Sequence, residues 1–295
     1  MENKYLPRTN LSIVSGFALF IFLFLLMLVM TSLLAEFVTS KMTNQVAGFR
    51  ILTVVQDLLV FILPAVVTAL LMTRLPARFL NIDLPPYPIP LTLALVTLLV
   101  SIPFMNRVIE WNANIQLPEA LEGLEAQMRQ MEDTAETFIN SMMNGSSVGS
   151  LILSIAIIGV LAGLSEELFF RGALQKLLLM TGMNHHVAIW TGAVIFSVFH
   201  FQFFGFVPRL LLGAYFGYLV WWTRSLWIPI IIHSINNSIV VVTEWHEANL
   251  PENVNVPDEG GNLLVNFISL LFMVAGLYLI RRACNPKSNS SVVSQ

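Results

Sequence analysis

Polar residues divide this chain into long apolar stretches. Cutting it at charged and turn-forming positions leaves eight candidate spans, at about Leu11–Val38, Ile51–Met72, Ile89–Met105, Val148–Leu164 with an apolar continuation to Met180, Val187–Phe204, Val207–Trp222, Leu226–Thr243 and Leu263–Ile280. A helix needs roughly 20 apolar residues to cross a bilayer, and most of these stretches approach or pass that length. The first is too long for the core of a cleaved signal peptide, roughly 7–15 residues, and reads as a retained anchor. Several others are short, which leaves room for one re-entrant pair. The pattern predicts an all-α fold, a polytopic membrane bundle of about eight transmembrane helices. Its membrane domain covers residues 11–282, between a tail at 1–10 and a Ser-rich tail at 283–295 that is expected to be disordered.

One long connection has a different pattern. Between the third and fourth spans, Leu121, Leu124, Met128 and Met131 recur at helical spacing with acidic residues between them. This predicts an extra amphipathic helix before the fourth span, lying at the membrane surface; a solvated connecting helix fits the same spacing.

Composition supports the membrane reading. Of 295 residues 56% are hydrophobic and only 11% are charged, and the mean hydropathy is +0.75. A soluble domain carries about 25% charged residues. The net charge of −3, from 15 Lys+Arg against 18 Asp+Glu, excludes the basic surface that a nucleic-acid partner requires. The single cysteine, Cys284, leaves no disulfide framework and no cysteine-based metal cluster. The partner expected on these grounds is the lipid bilayer.

Basic residues flank alternate ends of the spans: Lys4 and Arg8, Arg74 and Arg78, Arg224, then Arg281, Arg282 and Lys287. This alternation predicts a multi-pass protein of the cell (plasma or inner) membrane with both termini cytoplasmic. Lys41, Arg50 and Arg209 run against it. The loops at 106–147 and after the seventh span are acidic, the second through Glu244, Glu247, Glu252, Asp258 and Glu259.

An ionisable side chain inside a bilayer costs about 2.5–3.5 kcal/mol at a helix centre on insertion scales, so each one needs a reason. The fourth span carries Glu166, Glu167 and Arg171, the fifth His200, the seventh His233 with Asn237, and the second Asp57. Glu167 and Arg171 are four apart, about 40° round a helix, and can pair. Glu166 is about 140° from Arg171 and is the freer carboxylate. His233 and Asn237 share a face, offering a base beside an amide donor. Alone, His200 would read as a packing or capping histidine. Three spans each with an uncommitted polar group are best satisfied by one shared cavity.

A glutamate and two histidines can hold and deprotonate a water that attacks a carbonyl, directly or through a metal, while Asn237 steadies the oxyanion. Peptide hydrolysis fits this set. A serine–histidine protease using Ser165, Ser197 or Ser234 leaves the paired glutamates unexplained, and no H-E-x-x-H zinc helix is present. A proton-coupled transporter is disfavoured by the lack of a duplicated half. The non-enzymatic alternative is a membrane binding or regulatory protein, such as a bacteriocin immunity protein or kinase scaffold, using the same polar cavity.

At these residues the chain resembles the CPBP (CAAX protease and bacteriocin-processing, or Abi) family of intramembrane endopeptidases, similar to type II CAAX prenyl endopeptidases. The family motifs E-E-x-x-x-R, F-x-x-x-H and H-x-x-x-N occur in order at Glu166–Arg171, Phe196–His200 and His233–Asn237. The resemblance covers a catalytic core at about residues 151–242. It implies an intramembrane protease with Glu166, His200, His233 and Asn237 as catalytic residues, Glu166 being the base. Glu167, Arg171 and Phe196 would organise the site. Two versions of the chemistry are implied: a metal-free glutamate-dependent one, and a metalloprotease in which Glu166, His200 and His233 hold zinc. The substrate would be a membrane-associated or lipidated peptide, or a membrane protein.

Overall fold

In a computed structural model, which describes residues 11–143, 147–249 and 262–284, every regular element is helical. The tail at 1–10, residues 285–295 of the C-terminal tail, and Glu252, Asp258 and Glu259 of the last acidic loop lie outside the described residues. The main helices are α1 (Ile13–Lys41), α2 (Gln45–Met72), α3 (Pro88–Ala113), α4 (Glu122–Met143), α5 (Val148–Met180), α6 (His185–Val198), α7 (Phe206–Thr223), α8 (Trp227–Ala248) and α9 (Leu263–Ala283). Helix α4 is the expected amphipathic element. The apolar continuation after Leu164 is part of one 33-residue helix, α5.

The expected count of about eight spans is not matched. Among the described residues six helices are long and apolar enough to cross a membrane: α1, α2, α3, α5, α7 with its preceding turn, and α9. The other two expected spans fall on α6 and α8. Helix α6 has only 14 residues, about 21 Å at 1.5 Å per residue against a hydrocarbon core of about 30 Å. Helix α8 is long enough, with 22 residues, but His233, Asn236, Asn237 and Glu244 dilute its apolar run. With six such helices the chain is a multi-pass membrane protein.

Side-chain caps start five of these helices. Ser12 accepts from the backbone N–H of Ser15, Asn44 from Ala47, Ser147 from Ser150, Asn184 from His186 and Asn262 from Leu264. Each satisfies a donor that the first helical turn leaves without an internal acceptor. Gly182, at φ +87°, follows α5, where a residue with a side chain would be strained.

Water drives helices together in a soluble core. Lipid tails are as apolar as leucine, so close van der Waals packing and hydrogen bonds carry more of the association here. Two glycine pairs allow it. Gly159 and Gly163, one turn apart on α5, lie against Ser238 and Ser234 of α8; a Cβ at Gly159 would collide with Ser238 Oγ, and one at Gly163 would come within 2.8 Å of Ser234 Oγ. Gly213 and Gly217 on α7 face α6 and α5, where a Cβ at Gly217 would lie 2.8 Å from Ile189 and 2.9 Å from Gln175. Helix α5 is thereby held close to both α7 and α8.

Around α5 the packing is aromatic. Phe169 touches Phe20 and Phe24 of α1 and Phe61 of α2, with ring centroids 4.6, 5.3 and 5.4 Å away. Phe170 meets Phe196 edge-on at 5.2 Å. A second core joins Ala94 and Leu98 of α3, Phe216 and Leu219 of α7, Ile228 and Ile232 of α8 and Ile280 of α9. Pro103 interrupts α3, and nearby Ser269 of α9 enters the helix ladder: its hydroxyl donates to Val100 O at 2.6 Å and accepts from Phe104 N at 3.2 Å.

Candidate active site

Three segments of the bundle carry wider π-helical turns: Asp57–Ile62 in α2, and Ile155–Leu161 and Leu168–Leu174 in α5. Each turn adjoins a polar residue expected to need a partner. Asp57 opens the first. The carbonyl of Ile158 in the second accepts the Asn237 amide at 3.3 Å. Glu166 and Glu167 immediately precede the third, which contains Arg171. π-turns free backbone groups and rotate side chains away from the regular 100° spacing, and they concentrate at functional sites.

Glu167 is fully buried and committed through one oxygen, its Oε2 being buried without a hydrogen-bond partner. Its Oε1 accepts from Arg171 Nη1 at 2.7 Å and from His233 Nδ1 at 2.9 Å. The expected i,i+4 ion pair is therefore present, with a histidine from another helix added to it. Arg171 also donates from Nη2 to Gly213 O at 3.0 Å, and its guanidinium lies 4.5 Å from the Phe196 ring centroid and 5.3 Å from that of Phe216. One turn later Gln175 repeats the contact, donating to Gly217 O at 3.2 Å. Phe196 thus stacks on the cation that organises the glutamate.

His233 is 4% exposed and stacks on Phe216, centroids 4.7 Å apart. With its Nδ1–H given to Glu167, its Nε2 faces Glu166 Oε2 at 3.8 Å, beyond hydrogen-bond length. A buried carboxylate that fixes an imidazole through Nδ1 and presents Nε2 to a reaction site is a familiar catalytic arrangement.

Glu166 is the uncommitted carboxylate. Its Oε2 is buried without a hydrogen-bond partner, although the side chain as a whole is 17% exposed. His200, just past the end of α6, lies 2.9 Å through Nδ1 from Phe196 O. A carbonyl can only accept, so Nδ1 carries the proton and Nε2 of the neutral ring is an acceptor. The Phe196 ring lies between the histidines, its centroid 4.9 Å from His200 and 6.0 Å from His233. Glu166 and His233 both act on His200 electrostatically. Direct contacts therefore link Glu166, Glu167, Arg171, Phe196, His200 and His233, while Asn237, one turn beyond His233, donates to the Ile158 carbonyl.

Asp57 gains a place that the sequence did not give it. Only 3% exposed, it accepts at Oδ1 from Ser165, the neighbour of Glu166, at 3.0 Å, and its Oδ2 has no partner. Ser165 Oγ stands equally close to Ala162 O, and one hydroxyl proton cannot serve both acceptors fully. Glu166 lies within electrostatic reach of Asp57. A second buried carboxyl group thus stands behind the first.

The donor types of Glu166, His200 and His233 suit zinc. Among the described residues no three His, Cys, Asp or Glu side chains gather as one ion's ligands. Nδ1 of each histidine is held, by Glu167 and by Phe196 O, which leaves Nε2 open in an orientation that metal-ligating histidines also show. A large apolar cavity, about 350 Å³, lies elsewhere among α3, α6, α7 and α9, lined by residues such as Leu98, Trp190, Tyr215 and Met273 and by none of the motif residues. The site is identified by its chemistry and not by volume.

No curated protein and no solved structure matches the chain. Residues 148–239, which run from the start of α5 into α8 and hold all three polar motifs, match the family model described as Type II CAAX prenyl endopeptidase Rce1-like, a protease family to which this segment is similar.

Proposed function

We propose that this protein is an intramembrane endopeptidase that hydrolyses a peptide bond of a membrane-associated or lipidated peptide. The observation that carries the reading is Glu166 itself. It is a largely buried carboxylate with an unpartnered oxygen, 3.8 Å from a histidine that a second glutamate already holds in place. An uncommitted charge in that setting is costly unless it has a chemical task.

In this reading Glu166 takes a proton from a water as the water oxygen bonds to the substrate carbonyl carbon. His200 orients the water, because its Nε2 is free to accept the second hydrogen. The carbonyl oxygen becomes an oxyanion and is met by His233 and by the Asn237 N–H not given to Ile158. The C–N bond then breaks, and Glu166 returns its proton to the leaving amine. Arg171 and Glu167 keep the His233 ring in register. No step runs through a metal.

The test is cleavage of a peptide library by the full chain in lipid vesicles, with Glu166→Ala, His200→Ala and His233→Ala beside it. Loss of cleavage in all three, with the helical signal retained, is expected; undiminished turnover in any of them removes that residue from the site. Treatment with a chelator separates the two chemical versions. A loss of activity that zinc restores would assign Glu166, His200 and His233 to an ion.

A further inference from the structure

His200 sits on a sharp reversal between α6 and α7, and residues far outside the matched segment hold that reversal in place. Phe201, the next residue, has φ +52°, a left-handed conformation that a bulky side chain adopts only when its surroundings impose it. Asn112, near the end of α3 and 1% exposed, spans the turn with both ends of its amide. Its Nδ2 donates to Phe203 O at 3.2 Å and its Oδ1 accepts from Val207 N at 2.7 Å. From α4, Glu132 accepts the backbone N–H of Phe204 at 3.0 Å. Arg129, one turn earlier, covers the Phe204 ring at 4.0 Å while Glu125 grips its guanidinium at 2.7 and 2.9 Å.

We propose that Asn112 and Glu132 are positioning residues for His200: α3 and the amphipathic α4 form a brace that fixes the His200 turn against the reacting water. The brace rests on the protease reading for its purpose, but not for its existence. It gives α4 a role that neither a surface-lying helix nor a solvated connector would have. Ser197 and Arg209 tie the same turn from within, Ser197 donating to Phe206 O at 2.6 Å and Arg209 to Gln202. Asn112 and Glu132 are therefore its only polar tethers from outside the α6–α7 hairpin among the described hydrogen bonds.

The experiment uses the full chain in lipid vesicles with Glu132→Ala, Glu132→Gln and Asn112→Ala. The first readout is amide hydrogen exchange. Loss of one such bond is expected to speed exchange of the Phe204 amide in Glu132→Ala, and of the Val207 amide in Asn112→Ala, by roughly threefold to tenfold. Exchange in α9 should stay unchanged. A second readout, also independent of activity, is the rate of diethyl pyrocarbonate modification of His200, expected to rise in both alanine variants. Cleavage should then show kcat down roughly tenfold to a hundredfold, with KM held. Glu132→Gln, which keeps an acceptor for the Phe204 N–H, should recover most of it.

Unchanged exchange at Phe204 and Val207 would overturn the brace. Faster exchange with unchanged His200 modification and kcat would overturn the positioning role. Should Asn112→Ala fail to fold, the two Glu132 variants decide alone. An unaltered protein that cleaves nothing counts against the protease reading, while exchange and His200 modification still judge the brace.

Discussion

Helices α5 and α9 have nearly the same mean hydropathy, yet they face different surroundings. Helix α9 turns Phe267, Leu271, Phe272 and Tyr278 outward and buries only 17% of its most apolar window. In α5 every residue from Leu168 to Leu174 is buried, Arg171 included. Lipid can cover the first kind of helix without any partner. The second needs partners for each polar atom, and the glycine faces of α5 and α7 bring backbone and side-chain acceptors close enough to supply them. A bundle can therefore hold charge in its centre where its helices approach most closely, and nowhere else.

The largest expected effect strikes the uncommitted charge. Glu166→Gln keeps the shape and removes the base, so cleavage should fall about 10²–10⁴-fold with KM nearly unchanged in steady-state assays. A variant that retained activity would break the contrast between a working and a structural glutamate. Next comes Arg171→Leu, which leaves Glu167 buried without its cation and should cost about 3–5 kcal/mol in denaturant unfolding. Adding Glu167→Leu should return part of that loss, because the Glu167 charge is then no longer buried without its cation.

A smaller effect tests the packing. Gly163→Leu would force α5 away from Ser234 and should cost about 1–3 kcal/mol. On α9, Leu271→Phe should stay within about 0.5 kcal/mol, since its side chain meets lipid. Equal costs at the two positions would show that close approach is not what distinguishes the helices.

The smallest effect concerns α4, outside the membrane spans. A hydrogen bond from the Leu117 backbone, followed by Arg129, holds the Glu125 carboxyl below its ordinary value of 4.5. A depressed carboxylate pKa means that this tether contributes fully above the unfolded value, about 4.3, and is lost as pH falls through the folded value. Hydrogen exchange at Leu117 should be unchanged from neutral pH to about 5, after correction for intrinsic rates, and should quicken relative to α9 below about 4.

Much of the site was legible in the sequence because its partners repeat at helical spacing. Glu167 with Arg171, and His233 with Asn237, could be placed on shared faces by counting to four, and the apolar positions of α4 predicted its helix. Three contacts could not be read that way. Asp57 meets Ser165 across 108 positions, Glu167 meets His233 across 66, and Asn112 reaches Phe203 across 91. The G-x-x-x-G pair at Gly159 and Gly163 was a visible sign of close packing that went unused. The count of about eight spans is not confirmed, because hydropathy alone cannot separate a crossing helix from a short or polar one held inside a bundle.

The sequence alone determined that this is a helical membrane protein, and its rare buried charges marked where chemistry would lie. Tertiary structure decided which of two adjacent glutamates is committed. Glu167 is engaged because α8 brings His233 Nδ1 to its Oε1, and Glu166 is left without a hydrogen bond among those described because Nε2 of the same ring stands 3.8 Å from its Oε2. Local spacing fixes what a residue can reach along its own helix. Only the packing of other helices sets the distances, and hydrogen bonding falls off within a few tenths of an ångström of its optimum.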